Sequence, residues 1–302
     1  MLTIRDALKQ GSAVLRTLNN RNAEADARTL LGGVIGKDFT FLLTHPEAEI
    51  DGKQWEEFQD WIQQRASGKP IAYLVGHREF YGRDFVVSPA VLIPRPETEL
   101  LIEQGLRLLR VENSGRGNTA RPAAASTDPC RLEPLPIWIA DIGTGSGCIA
   151  VTLAAEIPRA RVIATDISEA ALGVARENAR RYGVADRVQF QRVDLLPRGA
   201  ARLDAVFSNP PYVASIDRLL SMEVREHEPA QALFAGENGM EIYRRIVPLA
   251  GQKLKPGGHL LLELGYQSEQ KVRSLFDPSL WQSVEVFPDL QGISRCLVAR
   301  VR

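Results

Sequence analysis

The stretch Ser208-Asn209-Pro210-Pro211-Tyr212 closes the apolar run Asp204-Ala205-Val206-Phe207, and its residue types suit one kind of chemistry. A planar –NH2 on a carbonyl or heteroaromatic ring is a poor nucleophile, because its lone pair is delocalised as in the peptide bond. Two acceptors taking both N–H bonds would hold such a group in line with an electrophile and favour positive charge developing on nitrogen. Asn209 supplies a side-chain carbonyl for that pair, and Pro210 a backbone carbonyl. Pro210 and Pro211 fix φ and remove competing N–H donors, while Tyr212 offers a flat face to stack on the planar group. Alone, the tetrapeptide reads equally as a proline-stiffened turn after a strand.

Three further stretches carry chemistry upstream. "DIGTGSG" (Asp141, Gly143, Thr144, Gly145, Ser146 and Gly147 among its residues) lies between an apolar run and a helical pattern. Its glycines allow a tight turn and close backbone approach to a ligand beside a helix N-terminus. Taken singly, the loop fits a structural turn or another kind of nucleotide site about as well. No Gly-Lys-Ser/Thr follows, and Asp141 would repel a pyrophosphate; a carboxylate there better suits a ligand with a cationic amino acid part. Asp166 stands 19 residues after Gly147, where an acid can accept from both hydroxyls of a ribose. Its competing role, capping the next helix, suits Ser168 better. Asp194 could accept from an adenine amino group and Leu195 could pack on the ring face, although either also fits ordinary loop chemistry. Together the four stretches describe a site for S-adenosylmethionine with an amine or amide acceptor beside it.

These stretches must be positioned by regular elements. From Ile137 onward, strand and helix patterns alternate: "IWIAD", "RVIATD", "VQFQRV", "DAVFS", "HLLLEL", "WQSVEVF" and "RCLVAR" are strands, with helices such as "SEAALGVARENARRYG" between most of them. The alternation predicts an α/β fold with an open, largely parallel sheet, helices on both faces, and ligands at the carboxyl ends of the strands. The short link "PDLQGIS" predicts an antiparallel hairpin for the last two strands. Residues 1–72 show helical periods and no strand-like runs, which predicts a small helical bundle. Residues 73–96 predict a β-hairpin connector turning at Gly76 and Gly82, followed from residue 97 by the catalytic domain, with a helix through about Arg110. Residues 111–136 are poor in apolar types and predict a flexible insertion.

Composition removes several classes. Lys and Arg together number 37 against 37 Asp and Glu, so the basic excess that phosphate neutralisation calls for is missing. Direct nucleic-acid binding is not expected. No apolar run approaches the roughly 18 residues of a membrane span, and Arg5 and Asp6 stand where a signal peptide needs its apolar core. Cys130, Cys148, Cys296 and the four histidines are scattered without metal spacing. A cytoplasmic protein without disulfides or bound metal is expected, and a monomer needs the fewest assumptions.

The arrangement resembles the class I S-adenosylmethionine-dependent methyltransferases, in which N-P-P-Y marks enzymes that methylate planar nitrogen. "YLVGHREFYGRDFVVSPAVLIPRPETEL", "EVREHEPAQALFAGENGMEIYRRI" and "LKPGGHLLLELGYQ" closely resemble the release-factor glutamine methyltransferases, the PrmC/HemK family. The resemblance covers nearly the whole chain and implies a Rossmann-like class I methyltransferase domain behind a helical bundle that docks release factors. It implies transfer of a methyl group from S-adenosylmethionine to the N5 amide of the glutamine in the Gly-Gly-Gln tip of bacterial class I release factors, with S-adenosylhomocysteine as product. Gly143 through Gly147 match the family's cofactor loop, Asp166 its ribose acid, Asp194 and Leu195 its adenine contacts, and Asn209 through Tyr212 its glutamine-holding segment. Many members carry an aromatic where this chain has Leu195. The competing readings are an adenine-N6 methyltransferase of nucleic acid, a ribosomal-protein glutamine methyltransferase and a non-catalytic cofactor-binding module.

Overall fold

The computed structural model describes residues 2–17, 20, 22–116, 135–197, 199, 202–215 and 221–302. The chain divides into two compact units, one comprising Met1–Arg78, Val87–Pro89 and Arg218–Glu228, the other Glu79–Val86, Ala90–Asp217 and Pro229–Arg302.

In the first unit, α1 (Ile4–Arg16), α2 (Ala23–Ile35) and α3 (Gly52–Ala66) enclose a core that includes Leu15, Leu30, Leu31, Phe58 and Ile62. Thr3 with Asp6 and Asp51 with Gln54 form reciprocal capping boxes, which fix where α1 and α3 begin. Arg65 is mostly buried and bridges Asp26 and Glu223, each at 2.8 Å, so residues distant in sequence share one ion cluster. Two departures from the sequence reading occur here. Leu2–Thr3 pairs antiparallel with Glu49–Ile50 inside a region read as wholly helical. Residues 73–75, read as the start of the hairpin, belong to a short helix, Ile71–Val75, that follows Pro70 and is closed by Gly76 at φ 81°.

The hairpin strands β1 (His77–Phe80) and β2 (Arg83–Val86) place Phe80 and Phe85 in the main core of the second unit. After the 3-10 turn Pro96–Thr98, α4 (Glu99–Arg116) runs past the expected end near Arg110 into the segment read as flexible. The rest of that expectation, residues 117–134, lies outside the described residues. The chain continues through β3 (Ile137–Ile142), α5 (Cys148–Glu156), β4 (Ala160–Asp166), α6 (Glu169–Arg181), β5 (Val188–Arg192) and β6 (Leu203–Ser208). It ends with α7 (Glu241–Lys253), β7 (Leu254–Glu263), β8 (Trp281–Pro288) and β9 (Ser294–Val301).

The seven strands β3 to β9 form one sheet in the order β8-β9-β7-β6-β3-β4-β5. β9 is antiparallel to both β7 and β8, while the pairs β7/β6, β6/β3, β3/β4 and β4/β5 are parallel. One face carries Ile139, Val162, Phe207 and Leu261 against α4 and α5, and the other carries Ala140, Ile163, Val206 and Leu260 against Tyr243 and Ile246 of α7. Burial on both faces explains why these strands read as unbroken apolar runs. The register Ile142↔Ser208, Ile142↔Thr165, Ser208↔Leu262 and Asp166↔Arg192 aligns five strand ends on one rim, at the point where strand order reverses between β3 and β6.

Asn178, fully buried on α6, locks the hairpin to this rim. Its Oδ1 accepts from Val86 N at 2.8 Å, and its Nδ2 donates to Val86 O at 3.0 Å and Ser146 O at 2.9 Å. Asn178→Leu leaves those backbone groups without partners and is expected to cost roughly 2–4 kcal/mol in urea unfolding. A loss below about 1 kcal/mol would show that the amide is not what holds the hairpin.

Candidate active site

One cavity opens at the carboxyl rim, and Gly143, Gly145, Asp166, Leu195, Asn209 and Pro210 are among its lining residues. The glycine loop leaves β3 with Gly143, Gly145 and Gly147 at φ 69°, 53° and 79°. Gly143 N and Thr144 N both donate to Thr165 O at 2.9 Å, which folds the loop back over β4. At Gly145 a side chain would meet no atom within 4 Å, so the requirement there is backbone conformation and an open ligand side.

Asp141 sits beneath this loop. Its Oδ2 accepts from Thr144 Oγ1 at 2.6 Å and from Ala150 N at 3.1 Å, and its Oδ1 is buried without a partner. Burial raises its carboxyl to about 7, against the lowering effect of those two hydrogen bonds. Asp141 is not among the residues that line the cavity, and its two hydrogen bonds tie it to the loop from below. Gly147 also stands off the cavity, with its Cα hydrogen facing Ala175 of α6. Thr144 and Ser146 line the cavity.

Asp166 ends β4 with Oδ2 accepting from Gly145 N at 3.0 Å and Oδ1 from Ser168 N at 2.9 Å. Each carboxylate oxygen keeps capacity for another donor on the cavity side. Ser168 caps α6 by accepting from Ala171 N at 3.2 Å, as its position after Asp166 predicts. Leu195 is buried at φ 66°, and its carbonyl accepts from Thr165 Oγ1 at 2.5 Å. That unusual backbone turns its side chain to the cavity wall. Asp194 lines the cavity too, but its half-exposed carboxylate already pairs with Arg245 of α7.

Asn209 follows β6, whose last residue is tied to β3 by Ser208 Oγ donating to Ile142 O at 2.8 Å. The Asn209 Nδ2 donates to Thr98 Oγ1 at 3.0 Å, and Thr98 Oγ1 donates to Glu263 Oε2 at 2.5 Å. Pro210 and Pro211 line the cavity beside Asn209, but Tyr212 does not. The Tyr212 hydroxyl donates to Glu263 Oε1 at 3.4 Å, and its ring packs closely against Gly265. The hydroxyl end of this partly buried ring is thus anchored on a core carboxylate. Glu263, 1% exposed at the end of β7, has its carboxyl raised to about 7 by burial, opposed by the Thr98 bond and Arg295. The sequence reading missed both Thr98 and Glu263. The available signal was a lone acid closing the apolar run "HLLLE", where an uncompensated charge is costly.

Among the described residues, no group of three or more His, Cys, Asp or Glu side chains could hold a metal ion, and no helix is long and apolar enough to cross a membrane.

Comparison with known proteins gives concordant results. Residues 6–76 match the PrmC N-terminal domain and residues 133–226 the methyltransferase small domain. The chain is 39% identical over 302 residues to the release factor glutamine methyltransferase of Koribacter versatilis, covering 99% of each chain. It is 44% identical over 266 residues to that of Nitratidesulfovibrio vulgaris, covering 86% of this chain and 82% of the relative. The T. thermophilus 16S rRNA N2 G1207 methyltransferase, solved with AdoMet and guanosine, superposes with a TM-score of 0.50 at 16% identity. That match covers 75% of this chain and 50% of the other, and it shows the fold alone. With near-complete coverage at such identity, and a glycine loop, ribose-type acid and N-P-P-Y segment on one rim, the chain belongs to the release factor glutamine methyltransferase family.

Proposed function

We propose that this protein transfers the methyl group of S-adenosyl-L-methionine to the side-chain amide nitrogen (N5) of the glutamine in the Gly-Gly-Gln motif of peptide chain release factors, acting in translation termination. The observation that carries the reading is Asn209, an amide whose NH2 end is held by Thr98 at the cavity rim. That hold leaves its carbonyl for an incoming N–H.

The cavity chemistry fits the cofactor. Asp166 would receive the two ribose hydroxyls, the open face of Gly145 would admit the nucleoside, Leu195 would cover one face of the adenine and Asp194 would reach its amino group. Asp141 supports the amino acid end from beneath the loop, where its unpartnered Oδ1 lies. When bound, the cofactor supplies an electrophilic methyl group on a sulfonium.

Asn209 Oδ1 and the Pro210 carbonyl take the two N–H bonds of the substrate amide, hold its nitrogen in line and draw its lone pair out of conjugation. Pro211 and Tyr212 keep this loop stiff, Tyr212 through its contact with Glu263. With the cofactor bound, its methyl carbon would pass from sulfur to the amide nitrogen, which would release its proton to water, with S-adenosyl-L-homocysteine as the other product.

The first unit docks the release factor, and the enzyme works as a monomer in the cytoplasm without contacting nucleic acid itself. Labelled methyl groups should appear in a release factor and be absent when the Gly-Gly-Gln glutamine is replaced by alanine. Equal labelling of both proteins, or transfer only to an adenine-containing oligonucleotide, would overturn the proposal.

A further inference from the structure

Three elements distant in sequence meet behind Asn209. Thr98 lies in the turn before α4, Glu263 closes β7, and Asn209 follows the adjacent strand β6. Thr98 and Glu263 are 2% and 1% exposed, so neither is solvated and each must find its partners within the protein. Thr98 donates to Glu263 Oε2, Tyr212 donates to Glu263 Oε1, and the Glu263 backbone carbonyl accepts from Tyr243 OH at 2.7 Å. A carboxylate facing two hydroxyl donors, one on each oxygen, is the arrangement of an acceptor-only group.

A hydroxyl has one proton. With that proton committed to Glu263, Thr98 Oγ1 can only accept from Asn209, so the Asn209 NH2 must point inward and its carbonyl toward the cavity. A side-chain amide is nearly symmetric in shape, and nothing in Asn209 alone decides which end faces a substrate. We infer that Thr98 and Glu263 are positioning residues that set the sense of the Asn209 amide, and so permit it to accept from the substrate nitrogen. This rests on the methyl-acceptor role of Asn209 given above.

Protonation of Glu263 reverses the relay. The carboxylic acid donates to Thr98 Oγ1, the Thr98 proton turns to Asn209, and the amide turns its NH2 to the cavity, where two donors confront each other. The groups that bear on Glu263 are Arg295, which favours its ionised form, and Glu97, which opposes it, together with the hydroxyls of Thr98, Tyr212 and Tyr243. Cys148 and Cys296 are buried thiols coupled to the same carboxylate. Burial places the Glu263 carboxyl at about 7. Turnover therefore rises with pH through that region, as the acid gives way to the carboxylate.

The test uses the full chain with Thr98→Val, Thr98→Ser and Glu263→Gln. Thr98→Val should lower kcat roughly 30-fold, since a misplaced acceptor forfeits much of its transition-state contact. Thr98→Ser should restore turnover, S-adenosylhomocysteine affinity by calorimetry should hold in all three, and Glu263→Gln should lose the acid limb of the kcat profile. Independently of activity, the side-chain NH2 resonance of Asn209 in 15N-labelled protein, identified by its loss in Asn209→Ala, should titrate in wild type. It should not titrate in Glu263→Gln or Thr98→Val. A Thr98→Val enzyme with normal kcat, equal losses in the Val and Ser variants, or an acid limb that persists in Glu263→Gln would each overturn the inference. So would an Asn209 resonance indifferent to Glu263. Failure of wild type to methylate the release factor would instead overturn the proposed substrate and leave the resonance titration standing.

Discussion

Asn209→Ala should abolish most methyl transfer while leaving the cofactor site intact. Truncation removes the carbonyl proposed to accept one of the two substrate N–H bonds, an interaction that strengthens as positive charge develops on nitrogen. Loss of one such preorganised partner typically lowers kcat by roughly 10²–10³-fold. Asn209 is not what shapes the glycine loop: Gly143 and Thr144 are held by Thr165, Gly145 by Asp166, and Thr144 by Asp141. S-adenosylhomocysteine should therefore bind the variant within about threefold of wild type, a difference well under 1 kcal/mol. Asn209→Gln should fail nearly as badly, because one extra methylene moves the carbonyl by more than the roughly 1 Å that already costs about 10²-fold. Single-turnover transfer to a full-length release factor, measured beside calorimetric titration, separates the two quantities. Turnover within a few-fold of wild type in Asn209→Ala would remove this residue from the mechanism.

Much of this architecture is written locally in the chain. Parallel strands buried on both faces must be apolar throughout, so "IWIAD", "RVIATD" and "DAVFS" announce themselves, and the polar residue ending each marks the rim. The elements that escaped are those with no period to detect. A two-residue pairing such as Leu2–Thr3 with Glu49–Ile50 has none. The last turns of α4 add polar residues to a helix already formed, which costs propagation but not nucleation, so residues 111–116 continue it despite their composition. The helix Ile71–Val75 is too short for apolar spacing to separate it from a strand.

The site divides along the same line. Gly143, Gly145, Asp166 and Asn209 were legible as candidates because each stands where its own strand ends. Thr98 and Glu263 were not, since they meet only once the fold brings positions 165 residues apart within 2.5 Å. Sequence names a side chain but not the side of the loop to which it turns. Asp141 reads in sequence as a ligand acid, and the fold adds the Thr144 hydroxyl and the Ala150 N–H as donors to its Oδ2. Tyr212 reads in sequence as a stacking face, and the fold adds Glu263 at its hydroxyl and Gly265 against its ring. In both cases the structure adds protein partners that the sequence alone does not show.

Gly239→Ala should disable the enzyme from a position that touches no ligand. Gly239 has φ 74°, and a Cβ there would lie 2.4 Å from the Tyr212 carbonyl oxygen and 3.2 Å from its carbonyl carbon. Those atoms are backbone, so no rotamer change relieves the overlap. Yielding is also restricted on the far side: Val213 N donates to Leu233 O at 3.0 Å, Ala235 N to Val213 O at 3.0 Å, and Ser215 N to Gly236 O at 2.9 Å. Displacement must then pass toward Pro211, Pro210 and Asn209, where a shift near 1 Å costs about 10²-fold in turnover. The left-handed backbone by itself costs an alanine roughly 1–2 kcal/mol, and this part must be separated from the contact. Gly183→Ala supplies the control, since Gly183 has φ 65° but nothing within 4 Å of its Cβ direction. Both variants should unfold at lower urea than wild type, and only Gly239→Ala should lose turnover. Equal kcat in the two would mean that the loop absorbs the methyl group without moving Asn209, and that its stiffness is not what catalysis requires.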